Sequence, residues 1–217
     1  MKYFYFFNFI EQVFSGNTIY RILFNWRVKK NCKNLIGKVL DLASGSDPSY
    51  HRYLPSGIKI IKSDYQQKDG IDKVVDFNQK LPFADNSIDN ILFFNALYIV
   101  EDRIRLFMEL KRILKPGGII FLSSPFIANE MPEPHDYCRL TFEGLEQEFR
   151  MAGFINFKIE RFGERFTAAV YLVSPLLFFN IIRLIIYSIS MLLDMIISKK
   201  IRQKNPTPLG YFVIIEK

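Results

Sequence analysis

Between residues 38 and 125, short apolar runs alternate with polar turns and one helical stretch. "KVLDLA" (38–43), "IKIIKSD" (58–64), "DKVVDF" (72–77), "IDNILFFNAL" (88–97) and "GGIIFLSSP" (117–125) read as strands of a parallel sheet buried on both faces. Between the fourth and fifth, "EDRIRLFMELKRILK" (101–115) sets Ile104, Phe107, Met108, Leu110, Ile113 and Leu114 at helical spacing. "TFEGLEQEFRMAGF" (141–154) predicts a further helix, capped by Thr141 and stopped at Gly153. "NFKIERFG" and "LGYFVIIEK" (209–217) complete the pattern as a sixth and a seventh strand. Strands alternating with helices predict an α/β domain, a sheet with helices on both faces, over residues 36–217.

Two segments depart from this alternation. Residues 1–35 begin "MKYFYFFNFI", with one basic residue, an interrupting Asn8 and no small-residue cleavage site before Glu11, and predict an N-terminal amphipathic helical segment rather than a signal peptide. The second is an apolar helical insertion, 168–200, before the last strand. Its polar residues Asn180, Arg183, Tyr187, Ser190 and Asp194 stand at offsets 0, 3, 7, 10 and 14, one stripe along an otherwise apolar helix. Arg183 and Asp194 inside a lipid span would cost ~3 kcal/mol each. The stripe therefore favours a helix lying in a membrane interface over a spanning helix, with a buried lid or a homodimer-interface helix as the other reading.

Charge sharpens that picture. The net charge is +7, but residues 1–37 carry +5 (six basic against Glu11) and residues 199–217 carry +4 (five basic against Glu216). The 161 residues between them stand at −2, so the basic excess flanks the apolar segments. This distribution points to an anionic membrane surface and excludes a broad nucleic-acid groove. With 22 Phe and 11 Tyr in 217 residues, apolar surface is left over beyond what one core needs. Cys32 and Cys138 have neither metal-ligand nor redox spacing, and read as reduced thiols; no metal site is expected.

Ligands of open parallel sheets bind beyond the carboxyl ends of the strands. Those ends carry Asp41, Asp64, Asp76 and Asn95, with Ala43, Ser44 and Gly45 following the first. A carboxylate after strand two suits a ribose diol, and one after strand three beside Phe77 suits an adenine. The first loop has a single glycine and two acids, Asp41 and Asp47, so it fits a cationic adenosine ligand better than a pyrophosphate. A nicotinamide oxidoreductase would want the fuller glycine fingerprint.

The segments "VLDLASGSD", "KSD", "VVDFNQKLPFADNSIDNILFFNAL" and "LKRILKPGGIIFLSSPF" resemble class I S-adenosylmethionine-dependent methyltransferases of the methyltransferase type 11 kind, over roughly residues 36–162 plus the last strand. That resemblance implies a Rossmann-like seven-stranded mixed sheet with an antiparallel last strand, and S-adenosyl-L-methionine as cofactor. It implies cofactor contacts at Asp41, Ala43, Ser44, Gly45, Asp64, Tyr65 and Asp76, Phe77 against adenine, and Asn95, Ala96 and Leu97 on the methionine side. "EPHDYCRLTFEGL" looks like a subgroup with a PHDYxRxT segment, tied to bacterial cell-surface polysaccharide and lipid-linked glycan pathways. The implied acceptor is a sugar, glycan or lipid-linked intermediate at the inner face of the cell membrane, where the protein would sit as a cytoplasmic, peripheral enzyme. A quinone-like lipid or small metabolite is the alternative acceptor, and a noncatalytic membrane-associated module the alternative role.

Three departures stand out: Ala43 and Asp47 where the family carries glycines, and "FNALYIV" after strand four. Asp47 either caps the following "PSYHRYL" helix or crowds the cofactor. His135 is the candidate general base, with Asp136 orienting it or replacing it, and Tyr137 and Arg139 are the candidate acceptor contacts. The rival reading makes "PHDYCRLT" a structural turn. His51, the other histidine, is expected at the surface of the first helix.

Overall fold

The computed structural model describes residues 2–132 and 134–217, and a seven-stranded sheet forms its centre. The strands are β1 (Lys38–Leu42), β2 (Lys59–Asp64), β3 (Lys73–Val74), β4 (Ile88–Phe94), β5 (Leu114–Pro125), β6 (Asn156–Phe162) and β7 (Gly210–Glu216). Their spatial order is β3-β2-β1-β4-β5-β7-β6. β1 to β5 pair in parallel, and β7 lies antiparallel between β5 and β6. This is the Rossmann-like mixed sheet expected from the sequence.

Seven helices among the described residues surround it: α1 (Lys2–Phe14), α2 (Ile19–Asn31), α3 (Arg103–Ile113), α4 (Phe142–Met151), α5 (Arg165–Val173), α6 (Asn180–Ile196) and α7 (Lys199–Lys204). Successive strand residues point to opposite faces, so each continuous apolar run feeds two cores. Leu40, Ile91, Phe93, Ile120 and Val213 pack with Leu106, Phe107 and Leu110 of α3 and Phe149 of α4. Val39, Leu92, Phe94, Phe121 and Phe212 pack with Ile22, Phe24 and Val28 of α2 and Tyr187 of α6. At Gly118 a Cβ would come within 2.8 Å of the Asp89 carbonyl oxygen, which is why the turn into β5 needs a glycine there.

Several expectations change in detail. Residues 2–31 form two helices, and α2 is integral to one core, with Ile19, Ile22, Phe24 and Val28 fully buried. The third strand shrinks to two residues at the sheet edge. The helix expected after the first loop is only a 3-10 turn, His51–Tyr53, with no side-chain cap, and Asp47 is exposed before it. Asp47 therefore does not cap it.

The insertion is broken by a 3-10 turn at Ser174–Leu176, containing Pro175, into α5 and α6. The polar stripe of α6 turns inward. Tyr187, Ser190 and Asp194 are buried, Asn180 Nδ2 donates to the Phe14 carbonyl (3.3 Å), and Arg183 Nε donates to the Leu177 carbonyl (2.5 Å). Asp194 caps α5 from across the pair: Oδ1 accepts from Phe166 N (2.8 Å), and Oδ2 accepts from Thr167 N (3.1 Å) and Thr167 Oγ1 (2.7 Å). Among the described residues no helix is long and apolar enough to cross a membrane.

Candidate active site

The sheet order reverses between β1 and β4, and the crevice beyond their carboxyl ends is where an α/β sheet offers room for a ligand. The chain enters and leaves that crevice under backbone strain. Ala43, just after β1, has φ 64°, and Asn95, just after β4, has φ 56°, a left-handed conformation costing a non-glycine residue ~1 kcal/mol. Both residues line a cavity of about 530 Å³, together with Asp64, Tyr65, Phe77 and Ala96.

Asp64, at the end of β2, ties this floor together. Its Oδ2 accepts from Gly45 N (3.0 Å) and its Oδ1 from Gln66 N (3.2 Å), which leaves each oxygen a free lone pair. Lys68 Nζ stands 4.0 Å away at the rim. Gly45 has φ 67°, and a Cβ there would meet open space, so the loop leaves the approach to Asp64 clear. Phe77 supplies a flat apolar wall, held edge-on against Phe93 with centroids 5.9 Å apart.

The other residues implicated by sequence lie around this cavity. Ser44 is buried and donates to the Gly45 carbonyl, and Leu97 is buried in the core behind the wall. Asp76 is half-buried, accepts from Asn78 N (2.9 Å) and stands outside the lining. Asp41 is fully buried behind the loop. Tyr50 Oη, 2.8 and 2.9 Å from its two oxygens, donates to it, and His51 Nε2 lies 2.5 Å from Oδ2. Burial pushes the Asp41 carboxyl upward against the lowering effect of these partners, and pushes the Tyr50 phenol up as well. Contrary to expectation, His51 is thus an inner partner of Asp41 rather than a surface residue. Asp47 lies outside the cavity wall and does not crowd it.

A second cavity, about 350 Å³, shares Asn95 and Tyr98 with the first. Its remaining walls come from distant segments: Asn17, Thr18, Tyr20 and Arg21 at the α1–α2 turn, Met131 on the loop after β5, and Tyr171 on α5. Asn95 stands between the two spaces. Its Oδ1 accepts from Tyr20 Oη (2.6 Å) and Ser123 Oγ (2.8 Å), which leaves the amide NH2 as its free donor. Burial raises the phenols of Tyr20, Tyr98 and Tyr171, so all three stay protonated and act as donors or aromatic walls.

The PHDY segment closes this side without presenting a base. His135 is exposed, stacked on Tyr137 at 5.3 Å, and outside both linings. Asp136 does not orient it, because its carboxylate is paired with Arg139 and accepts from Met131 N (2.8 Å). The Arg139 hydrogen bonds, with the adjacent guanidinium charge, hold the Asp136 carboxyl below its ordinary range. Arg139 also lies 4.8 Å over the Tyr98 ring, and Tyr137 N donates to the Tyr98 carbonyl (2.8 Å). The segment thereby fixes Tyr98, which walls both cavities, and brings Pro134 and Met131 to their edges. Tyr20, Arg21 and Tyr171 escaped the sequence reading because they lie in segments that looked like appendages. Only Tyr98, next to Asn95–Leu97, could have been found by proximity.

Comparison with known proteins agrees with the fold. Residues 52–122 match the model of a methyltransferase domain family. A demethylmenaquinone methyltransferase of Paenarthrobacter aurescens is 32% identical over 96 residues, 40% of this chain and 38% of that protein. Its counterpart in Corynebacterium glutamicum is 38% identical over 88 residues, 37% of this chain and 38% of that protein. The chain thus spans 38% of the length of these curated relatives. In three dimensions a SAM-dependent methyltransferase from Archaeoglobus fulgidus matches with a TM-score of 0.60 at 17% identity, covering 91% of this chain and 94% of that one, a likeness of fold.

Proposed function

We propose, from the premise that this chain has the fold of class I S-adenosylmethionine-dependent methyltransferases, that it transfers a methyl group to an amphiphilic acceptor held in the second cavity. The observation that carries this reading is the pair of adjoining cavities meeting at Asn95, at the reversal of sheet order. The first cavity fits the cofactor: Asp64 keeps a lone pair on each oxygen for a ribose diol, Phe77 offers an adenine wall, and the loop has no cradle for a diphosphate. Bound S-adenosylmethionine supplies a methyl group on a sulfonium that leaves as a neutral thioether.

What the chain adds is positioning and control of the acceptor's charge. Asn95, fixed through its carbonyl by Tyr20 and Ser123, keeps its NH2 for ligands on either side. Among the described residues the second cavity has no carboxylate or imidazole in its wall, but it has Arg21 and three tyrosines. A sugar hydroxyl, which needs a base, is poorly served there. An acceptor carrying its own acidity, such as a phenol or hydroquinone ring, is well served, because Arg21 stabilises its anion and the tyrosine rings flank it.

This favours a quinone-like lipid, in keeping with the names of the relatives above. Their similarity is confined to less than half of each chain. The glycan acceptor implied by the PHDY segment requires His135 to enter the site from its exposed position.

Titration calorimetry with S-adenosylmethionine and S-adenosylhomocysteine tests the cofactor, with Asp64→Ala expected to weaken binding about 10- to 100-fold through the lost charged hydrogen bonds. Absence of heat and of a thermal shift at millimolar ligand would overturn the enzyme reading. Radiolabelled methyl transfer to a short-chain hydroquinone, retained in His135→Ala, supports the quinone-like acceptor. A His135-dependent transfer to a sugar acceptor instead would assign the glycan.

A further inference from the structure

We infer that the outer face of α6, with the lysines of α7, docks the protein in the plane of an anionic lipid bilayer, and that this brings the acceptor cavity to the lipid surface. The amphipathicity of α6 is inverted relative to an ordinary surface helix. Its polar stripe is used up against the protein, through the Asp194 cap of α5 and the Asn180 and Arg183 bonds to the α1–α2 region. What faces outward is aliphatic: Ile181, Ile185, Ile189, Leu192, Met195 and Ile196 are all at least half exposed, Ile196 at 78%. At 100° per residue these side chains cover an arc of roughly 120°. An apolar face this continuous on a folded surface marks an interaction site.

Charge decides the occupant. Between residues 165 and 204 the sole acid is Asp194, which is buried, while Lys199, Lys200 and Lys204 are exposed directly beyond the apolar face. A basic cluster continuous with an aliphatic face complements anionic headgroups above acyl chains. A second copy of this chain would set like charges together. The helix, 17 residues long, lies between β6 and β7 of one sheet, so the chain returns to the side it left and α6 rests in the interface.

The same packing aims the second cavity. The α1–α2 turn that walls it is bonded to α6 through Asn180 and Arg183, and the wall residue Tyr171 is followed on α5 by the exposed Leu172 and Val173. Docking holds whatever the acceptor is; the delivery of a lipid acceptor rests on the methyl-transfer reading above.

Flotation of the full chain with vesicles of phosphatidylcholine containing phosphatidylglycerol is the test. Binding is expected at low salt, weakened by raised salt and absent on pure phosphatidylcholine. The double variant Ile185→Glu/Ile189→Glu should lose binding while its circular dichroism and its S-adenosylhomocysteine titration match the parent. Each of Lys199→Gln, Lys200→Gln and Lys204→Gln should weaken binding about five-fold. Failure of the parent to float with anionic vesicles, or unchanged flotation of the double variant, overturns the inference. So does a parent dimer in sedimentation velocity that Ile185→Glu/Ile189→Glu dissociates without any vesicle binding by the parent. Because cofactor titration is read separately, loss of docking and loss of the methyltransferase reading are told apart.

Discussion

Tyr20 Oη donates to Asn95 Oδ1 at 2.6 Å, across 75 residues of sequence, and so fixes the strained end of β4 to α2 between the two cavities. The ring is itself held edge-on by Phe162 at 5.2 Å and lies 5.5 Å from Tyr171. A residue of the N-terminal helices thereby sets the orientation of the amide at the centre of the site.

Tyr20→Phe keeps those ring contacts and removes the donor. Stability should fall by about 1 kcal/mol, the usual worth of a neutral hydrogen bond. Affinity for S-adenosylhomocysteine should stay within about three-fold, while the methyl-transfer rate falls roughly ten-fold, equivalent to ~1.4 kcal/mol in the barrier. An unchanged rate would show that the Asn95 orientation does not matter for transfer.

Ala43 has a left-handed backbone where its methyl is a liability. Ala43→Gly should raise unfolding stability slightly, by about 0.5 kcal/mol in urea titrations, the strain relief being largely offset by the added freedom of the unfolded chain. Ala43→Val, β-branched at the same φ, should be destabilised. Equal stability of all three proteins would contradict a strained floor.

Asp194→Ala removes the acceptor for Phe166 N, Thr167 N and Thr167 Oγ1 at once. Loss of about 2–3 kcal/mol is expected from hydrogen bonds to a charged group, with Asp194→Asn recovering part of it through its amide oxygen. Thermal unfolding measures the order parent, Asn, Ala; an Ala variant as stable as the parent would mean that α5 and α6 are joined by apolar contact alone.

The Asp136–Arg139 pair makes closure of the loop after β5 sensitive to acid. Because the pair holds the Asp136 carboxyl below its unfolded value, its contribution is complete above the ordinary aspartate range near ~3.9 and is lost as pH falls through the lower folded value. Hydrogen exchange of residues 126–140 should accelerate in that acid window beyond the intrinsic trend, and Asp136→Asn should already show fast exchange at neutral pH. A protection profile indifferent to both would leave the pair without a role in closure.

The strand order along the chain and the carboxylates beyond the strand ends were legible from the sequence, because burial on two faces leaves an unmistakable run of apolar residues and ligand loops sit at fixed places in such a sheet, whereas the antiparallel last strand was implied only by the family resemblance. The polar stripe of α6 was legible too, from spacing alone. Its direction was not. Periodicity states that a helix has two faces, and only packing against α5 and the α1–α2 turn decided that the polar one faces inward. The same holds for Asp41, whose position resembles a ligand contact but whose carboxylate is enclosed by Tyr50 and His51. The second cavity was decided by tertiary structure altogether: Tyr20, Tyr98 and Tyr171 meet there from three elements, and contacts across 70 or more residues leave no local pattern for a sequence to show.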